Sequence, residues 1–230
     1  MGHDRLLLRT ERKRFLMGQG HLNIRSGCGH GMIMLWQIGQ QRTLCKRIIA
    51  KKVGQIIGLG RRFGGGRNLV EAHAPLWIER KGLRIAVLGY NEFKPRVFEA
   101  GADHPGIAWS EDSHVIADIR AARKAGADLV IPFMHWGWER EPEAGERQRR
   151  LARRMIEAGA DAVVGGHPHV TQGADLVAGR PVVWSLGNFV FDGFEDFAPA
   201  RRGWLLRMTV DAQGVRDWDT VQADLDLQGT

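Results

Sequence analysis

Cysteine is nearly absent from this chain of 230 residues: only Cys28 and Cys45 occur. Their spacing matches neither a CxxC metal knuckle nor a redox pair, so no disulfide framework is implied. Long apolar runs are also missing. No stretch reaches the roughly 18 residues that a membrane-crossing helix needs, and the N-terminus, with Asp4 and scattered arginines, lacks the clean apolar stretch of a signal peptide. As written, the chain reads as cytoplasmic with no transmembrane segment. Acidic residues are scarce at one end. Residues 1–67 hold 14 Lys or Arg against two acids, Asp4 and Glu11, a balance of +12, whereas 68–230 hold 19 bases against 24 acids, a balance of −5. The isoelectric point near 10.0 therefore belongs to the N-terminal third. The patterned remainder is mildly acidic, which argues against a nucleic-acid partner.

What is present divides the chain in two. Residues 1–63 form a basic, poorly patterned segment with no sustained period beyond a helical hint at Leu44–Ile57. The readings open for it are a disordered tail, a weakly helical extension, or a stretch translated from another frame or start. Residues 64–230 carry order. The Gly64–Asn68 run leads into Leu76–Glu79, a Lys81-Gly82 turn and the apolar Leu83–Tyr90, a hairpin whose second strand is buried. Ser110 offers an N-cap for a helix that stops at Gly126. Leu129–Phe133 is a short strand that delivers His135. A second helix, Glu143–Ala158, packs through Leu151 and Met155, leaves Arg147, Arg149, Arg150, Arg153 and Arg154 mostly solvated, and stops at Gly159. Ala162–Val164 is the next strand, delivering His167 and His169. Pro181–Ser185, Phe189–Phe191, Trp204–Val210 and Gly214–Thr220 read as further strands. The echo of A-G-A-D-L-V-I-P-F-M-H in A-G-A-D-A-V-V-G-G-H makes two helix–Gly–strand–His units in tandem, hence an α/β sheet with functional groups at strand carboxyl ends.

Three histidines at matching strand ends suit a divalent metal. Neutral imidazole is a ligand for Mn, Fe, Zn or Ni, and the i, i+2 pair His167 and His169 can converge only where the backbone turns. Gly165, Gly166 and Pro168 are expected to supply that turn. Around them, Glu139 could orient a histidine, accept a proton, or stand solvated on its loop. Asn188 could bond a ligand or close an Asx-turn. Trp136 and Trp138 are expected to pack rather than stack on substrate.

The succession H-W-G-W-E, then R-R-M-I-E-A-G-A-D-A-V-V-G-G-H-P-H-V-T-Q-G, then V-V-W-S-L-G-N-F-V-F resembles the C-terminal half of the CapA family of poly-γ-glutamate capsule-synthesis proteins, relatives of the calcineurin-like metallophosphoesterases. G-R-N-L-V-E-A and L-R-I-A-V-L-G-Y-N-E-F resemble its middle region, so the resemblance runs from about Gly64 to near the C-terminus. It implies a layered α/β/β/α metallophosphoesterase-like sandwich. It also implies a metal-dependent, phosphoesterase-like hydrolase acting on a small-molecule or polymer substrate in capsule biosynthesis. In that reading His135, His167 and His169 are metal ligands, His135, Glu139 and His169 act in catalysis, and Asn188 meets substrate. The family's G-D, N-L-E and N-N-H elements supply further ligands, and nothing in residues 1–63 matches them. The resemblance thus leads us to expect an N-terminally incomplete fold and an impaired two-metal site, with a non-catalytic remnant or a tail-based interaction module as the alternatives.

Overall fold

The computed structural model describes residues 64–189 and 196–224 in full and residues 13–18 and 21–22 as backbone. The expected helix at Leu44–Ile57 lies outside the described residues. Twelve strands are described: β1 (Lys13–Gly18), β2 (His21–Leu22), β3 (Gly65–Gly66), β4 (Leu76–Arg80), β5 (Leu83–Asn91), β6 (Gly106–Ile107), β7 (Leu129–His135), β8 (Val163–Gly166), β9 (Ala174–Val177), β10 (Arg180–Val183), β11 (Arg202–Asp211) and β12 (Gly214–Asp224). Three α-helices accompany them, α1 (Leu69–His73), α2 (Asp112–Lys124) and α3 (Glu146–Glu157). The fold is mixed α/β. Its central sheet has the order β4-β5-β7-β8-β10-β9, and β5, β7, β8 and β10 run parallel. Antiparallel hairpins close both edges. The β4–β5 turn falls at Lys81 and Gly82, both at positive φ (48° and 76°), the pairing that the right-handed strand twist favours in a two-residue hairpin.

Both faces of this sheet are buried, which explains the near-continuous apolar runs of β5 and β7. Alternation sorts their side chains between two cores. Ala86, Leu88, Tyr90, Val130 and Met134 meet a helical layer that contributes Val115, Ile119, Leu151 and Met155. Ile85, Val87, Leu129 and Ile131 meet a second sheet through Leu206, Met208 and Val210 of β11. That sheet has the order β12-β11-β1-β2. Three layers, α/β/β, are therefore present among the described residues.

The tandem A-G-A-D echo has a structural cause. Each Gly ends a helix at positive φ, Gly126 at 86° and Gly159 at 113°, and each Asp reaches back to the preceding parallel strand. Asp128 Oδ2 accepts from the Arg84 backbone N–H at 2.8 Å, and Asp161 Oδ2 accepts from that of Val130 at 2.8 Å. The repeat is a register clamp. Asp161, buried, also pairs with Arg123 and Arg180.

Several expectations need correction. Ser110 does not cap α2, whose N-cap is Glu111 with no side-chain cap bond; the Ser110 hydroxyl instead donates to Glu92 Oε2 at 3.3 Å. The Gly-rich run does not lead directly into a strand, because Asn68 Oδ1 accepts from the Glu71 N–H at 2.9 Å and starts α1. Four of the five α3 arginines are exposed, as expected, and Arg147 is half-buried. Arg147 binds Glu92 and Asp112, Arg154 binds Asp112, and Arg149 reaches Asp175. The hairpin strand β9 was not expected. Phe189 lies outside any strand, and the rest of the segment expected at Phe189–Phe191 is outside the described residues.

The clamp predicts an asymmetry in stability. Asp161→Ala leaves the buried Val130 N–H without its acceptor and removes a carboxylate from Arg123 and Arg180, and should cost about 1–3 kcal/mol in denaturant unfolding. Asp219→Ala, which breaks an exposed pair with Arg207, should cost less than about 1 kcal/mol. Equal losses would contradict the clamp.

Candidate functional site

Parallel register assembles the site. Asn91 at the end of β5 stands opposite His135 at the end of β7, and His135 stands opposite Gly166 at the end of β8. His167 and His169 follow at once. The three imidazoles, expected from sequence to converge, do so. Ring centroids lie 4.3 Å apart for His135 and His167 and 5.9 Å apart for His167 and His169. All three side chains are buried; His167 and His169 are each 2% exposed.

The turn that aims the pair differs from expectation. Positive φ falls on the histidines themselves, 101° at His167 and 60° at His169, and not on Gly165 or Gly166. A non-glycine residue held there carries roughly 1–3 kcal/mol of backbone strain, a cost found where geometry serves function. Gly165 matters for space. A Cβ there would run into the Trp184 carbonyl and the Trp136 indole nitrogen. Trp136, expected to pack, is fully buried and donates to Trp184 O at 2.9 Å. Trp138, also expected to pack, is 77% exposed.

Two asparagines fix two of the rings. Asn91 Nδ2 donates to Phe93 O at 3.0 Å, which leaves Oδ1 to accept from His135 Nδ1 at 2.6 Å. Asn188 Nδ2 donates to Ala200 O at 2.8 Å, and its Oδ1 accepts from His169 Nδ1 at 2.7 Å. The amide orientations thus assign the Nδ1–H tautomer to both imidazoles and make Nε2 the lone-pair nitrogen. Asn188 was expected to meet substrate or close an Asx-turn. It is fully buried with both ends of its amide engaged, one step behind His169. Asn91 escaped the sequence reading; its only signal was its place at the end of a buried strand.

Glu139 is brought to the same place. Its carboxylate and the ring nitrogens of His167 and His169 offer donor atoms all within 4.8 Å of one another, the one such group among the described residues. Glu139 is exposed, at the rim. Its loop is tied to the histidine turn by Arg140 N–H donating to Pro168 O at 2.8 Å. Gln172 strengthens the tie by donating to Glu141 O and Glu143 O, each at 3.0 Å. His135 stands beside this group, ring to ring with His167. Phe93 covers the cluster, its ring 4.6 Å from His167 and 6.0 Å from His135.

Burial sets the charge state. It pushes His135 well below the ordinary imidazole range, helped by His167 and His169, and lowers His167 to about 3, helped by His169. His169 is lowered by burial too, but the Asn188 hydrogen bond and the Glu139 carboxylate oppose the shift. All three are neutral near pH 7, the state in which imidazole ligates a metal. The donor set therefore fits a divalent cation.

The chain matches, over residues 42–193, the family described as bacterial capsule synthesis protein PGA_cap; the match starts upstream of Gly64, where the resemblance was first legible. It is 38% identical over 130 residues to the PGA biosynthesis protein CapA of Bacillus subtilis, covering 56% of this chain and 34% of that protein. It is 36% identical over 143 residues to the capsule biosynthesis protein CapA of Bacillus anthracis, covering 59% and 32%. The chain thus spans about a third of the length of these relatives. Among solved structures it is similar to the Thermus thermophilus sulfate thiohydrolase SoxB in complex with glycerol, with a TM-score of 0.49 and 16% identity over 76% of this chain and 30% of that one.

Neutral buried imidazoles make stability depend on pH with a definite sign. The unfolded chain protonates its histidines as pH falls through about 6.5, while folded His167 resists until about 3. The unfolded state therefore binds more protons in that window, and stability falls on acidification. In the metal-free protein His167 should contribute a loss of about 1.4 kcal/mol per pH unit across it. Denaturant unfolding at several pH values should show a shallower slope for His167→Gln; identical slopes would contradict the burial.

Proposed function

The chain belongs to the bacterial capsule synthesis protein family PGA_cap, and on that premise we propose that it acts in poly-γ-glutamate capsule biosynthesis through a metallophosphoesterase-like, metal-dependent hydrolytic centre. The observation that carries this reading is the convergence of His135, His167 and His169, two of them held in one tautomer by Asn91 and Asn188. His167, His169 and Glu139 would hold the cation, with His135 alongside. A bound divalent ion would supply Lewis-acid polarisation of the scissile group and a lowered pKa for water.

The protein's own groups divide the remaining work. His167, lowered to about 3, is a poor base near neutrality and serves as a ligand. His169, whose shift is opposed by neighbours, has its Nδ1–H on Asn188, so its one lone-pair nitrogen, Nε2, serves as a ligand too. Glu139, at the rim, accepts a proton from an incoming nucleophile or balances the cation's charge. Asn188 and Asn91 keep the rings oriented, as outer partners of metal-bound histidines do. Phe93 limits water over His167.

A second reading, that the chain holds an ion without turnover, is favoured by one observation. The donor group among the described residues suffices for one ion, whereas two-ion hydrolysis requires bridging ligands.

Metal content and catalysis test both readings. Protein loaded with Mn²⁺ or Zn²⁺ should retain the ion on dialysis, and His167→Ala/His169→Ala should retain at least tenfold less at this site. Hydrolysis of bis-p-nitrophenyl phosphate should depend on the added ion and fall by about 10²-fold or more in His169→Ala. Equal metal content in both proteins would discard the site; retained metal without hydrolysis would select the second reading.

A further inference from the structure

A second histidine cluster lies in the helical layer, built from residues that the proposed centre does not use. Successive residues of β5 point to opposite faces. Asn91 goes to His135, and Tyr90 goes under α2. There the Tyr90 hydroxyl donates to Asp118 Oδ2 at 2.9 Å. The same oxygen accepts from His73 Nδ1 at 2.7 Å, placing the end of α1 over α2. His114 and Asp118 are four apart on α2 and therefore share a face. The ring of His73 lies against that of His114, with centroids 5.3 Å apart and planes at 88°.

His73 is out of place as a purely structural residue. Its side chain is 10% exposed, and its Nε2 is the one buried side-chain nitrogen or oxygen among the described residues without a hydrogen-bond partner. Such an orphan is unfavourable, because burial removes its water partners and nothing replaces them. With Nδ1–H committed to Asp118, Nε2 is an acceptor, and what it lacks is an electrophile or a hydrogen donor. Asp118 sits on the far side of the ring and accepts its Nδ1–H.

We propose that His73 Nε2 and His114 form a second metal site, for a borderline divalent cation such as Zn²⁺, Ni²⁺ or Co²⁺, with Asp118 as the carboxylate that orients His73. The ring geometry suits it. Two imidazoles that share a tetrahedral ion at about 2.0–2.1 Å place their centroids about 5 Å apart. The Asp118–His73 pair is the carboxylate–histidine arrangement that fixes tautomer and direction behind a bound ion. Two protein ligands leave positions for water or for a donor from another molecule. The site is thus weaker than a closed structural one.

The test uses the full chain and Zn²⁺, and does not depend on the capsule-related centre. The His167→Ala/His169→Ala protein should still bind one equivalent of Zn²⁺ by calorimetry. Adding His114→Ala should weaken that binding at least tenfold and abolish the Zn²⁺-dependent rise in melting temperature. Because His114 is exposed, its removal should leave the circular dichroism spectrum intact. Co²⁺ loaded in the same series should give visible absorption that His114→Ala removes. Zinc affinity and cobalt spectrum unchanged by His114→Ala would overturn the second site. So would complete loss of zinc from His167→Ala/His169→Ala. Zinc binding by the unmutated chain that is lost with His114→Ala but unaffected by His167→Ala/His169→Ala would uphold this site and refute the other.

Discussion

The parallel register of β5, β7 and β8 is the constraint on which the rest of the molecule depends. A slip of one residue would turn every side chain of a strand to the opposite face. It would exchange Ile131 for Val130 in the inter-sheet core and carry His135 away from Asn91. Apolar packing alone does not forbid this, since both faces of β7 are apolar and buried. The two aspartates do. Asp128 and Asp161 each take a backbone N–H from the preceding parallel strand, so the start of each strand is fixed and its last residue arrives at a known height. The A-G-A-D echo is thus the cause of the histidine cluster, although it lies at the other end of the strands.

Placing three imidazoles in one buried cluster is unfavourable in two ways. Desolvation penalises the charged form of each, and any two charged rings would repel one another. Both effects push in one direction, toward neutrality, and neutrality is what ligation requires. Amide partners suit this arrangement. An asparagine orients a ring without placing a full negative charge beside it, so it selects the tautomer while leaving the imidazole neutral. A carboxylate at the same position would also fix the tautomer, but in the metal-free protein it would favour the charged ring. The strain at His167 and His169 belongs to the same design, because the i, i+2 pair reaches one site only through left-handed backbone at both residues.

Much of this was legible in the sequence, for identifiable reasons. The strands and helices that repeat a period, the hairpin at Lys81-Gly82, the stops at Gly126 and Gly159 and the meeting of the three histidines all follow from local pattern and from spacing. The misses share a different character. Asn91 reads as the end of an apolar run, and nothing in its neighbours says that a histidine 44 residues later will claim its amide. Ser110 has the chemistry of a cap, yet Glu92 takes its hydroxyl through a contact 18 residues distant in sequence. Trp136 and Trp138 are indistinguishable by composition; the chain leaves β7 at His135 and turns at Gly137 (φ 79°), so that one is buried and the other exposed. The glycines before His167 were assigned to conformational freedom, and the structure uses Gly165 for close approach to Trp184. Long-range partners decided each case, and a single sequence does not display them.

The loop after β5 shows how such partners act together. It starts from Asn91, the last residue of β5, and carries Glu92 and Phe93. Asn91 N–H donates to Ala108 O at 2.9 Å and its carbonyl accepts from Ser110, while Glu92 N–H donates to His135 O at 2.8 Å. Arg147 of α3 then binds Glu92 and, through Asp112, the start of α2. Ion pairs of this half-exposed kind add little to global stability. Their value is positional: a guanidinium that grips Glu92 and Asp112 at once sets the loop relative to both helices. Phe93 therefore covers His167 from a fixed direction. The arginine row of α3, which by composition alone is a solvated helix face, is in part the outer support of the histidine site.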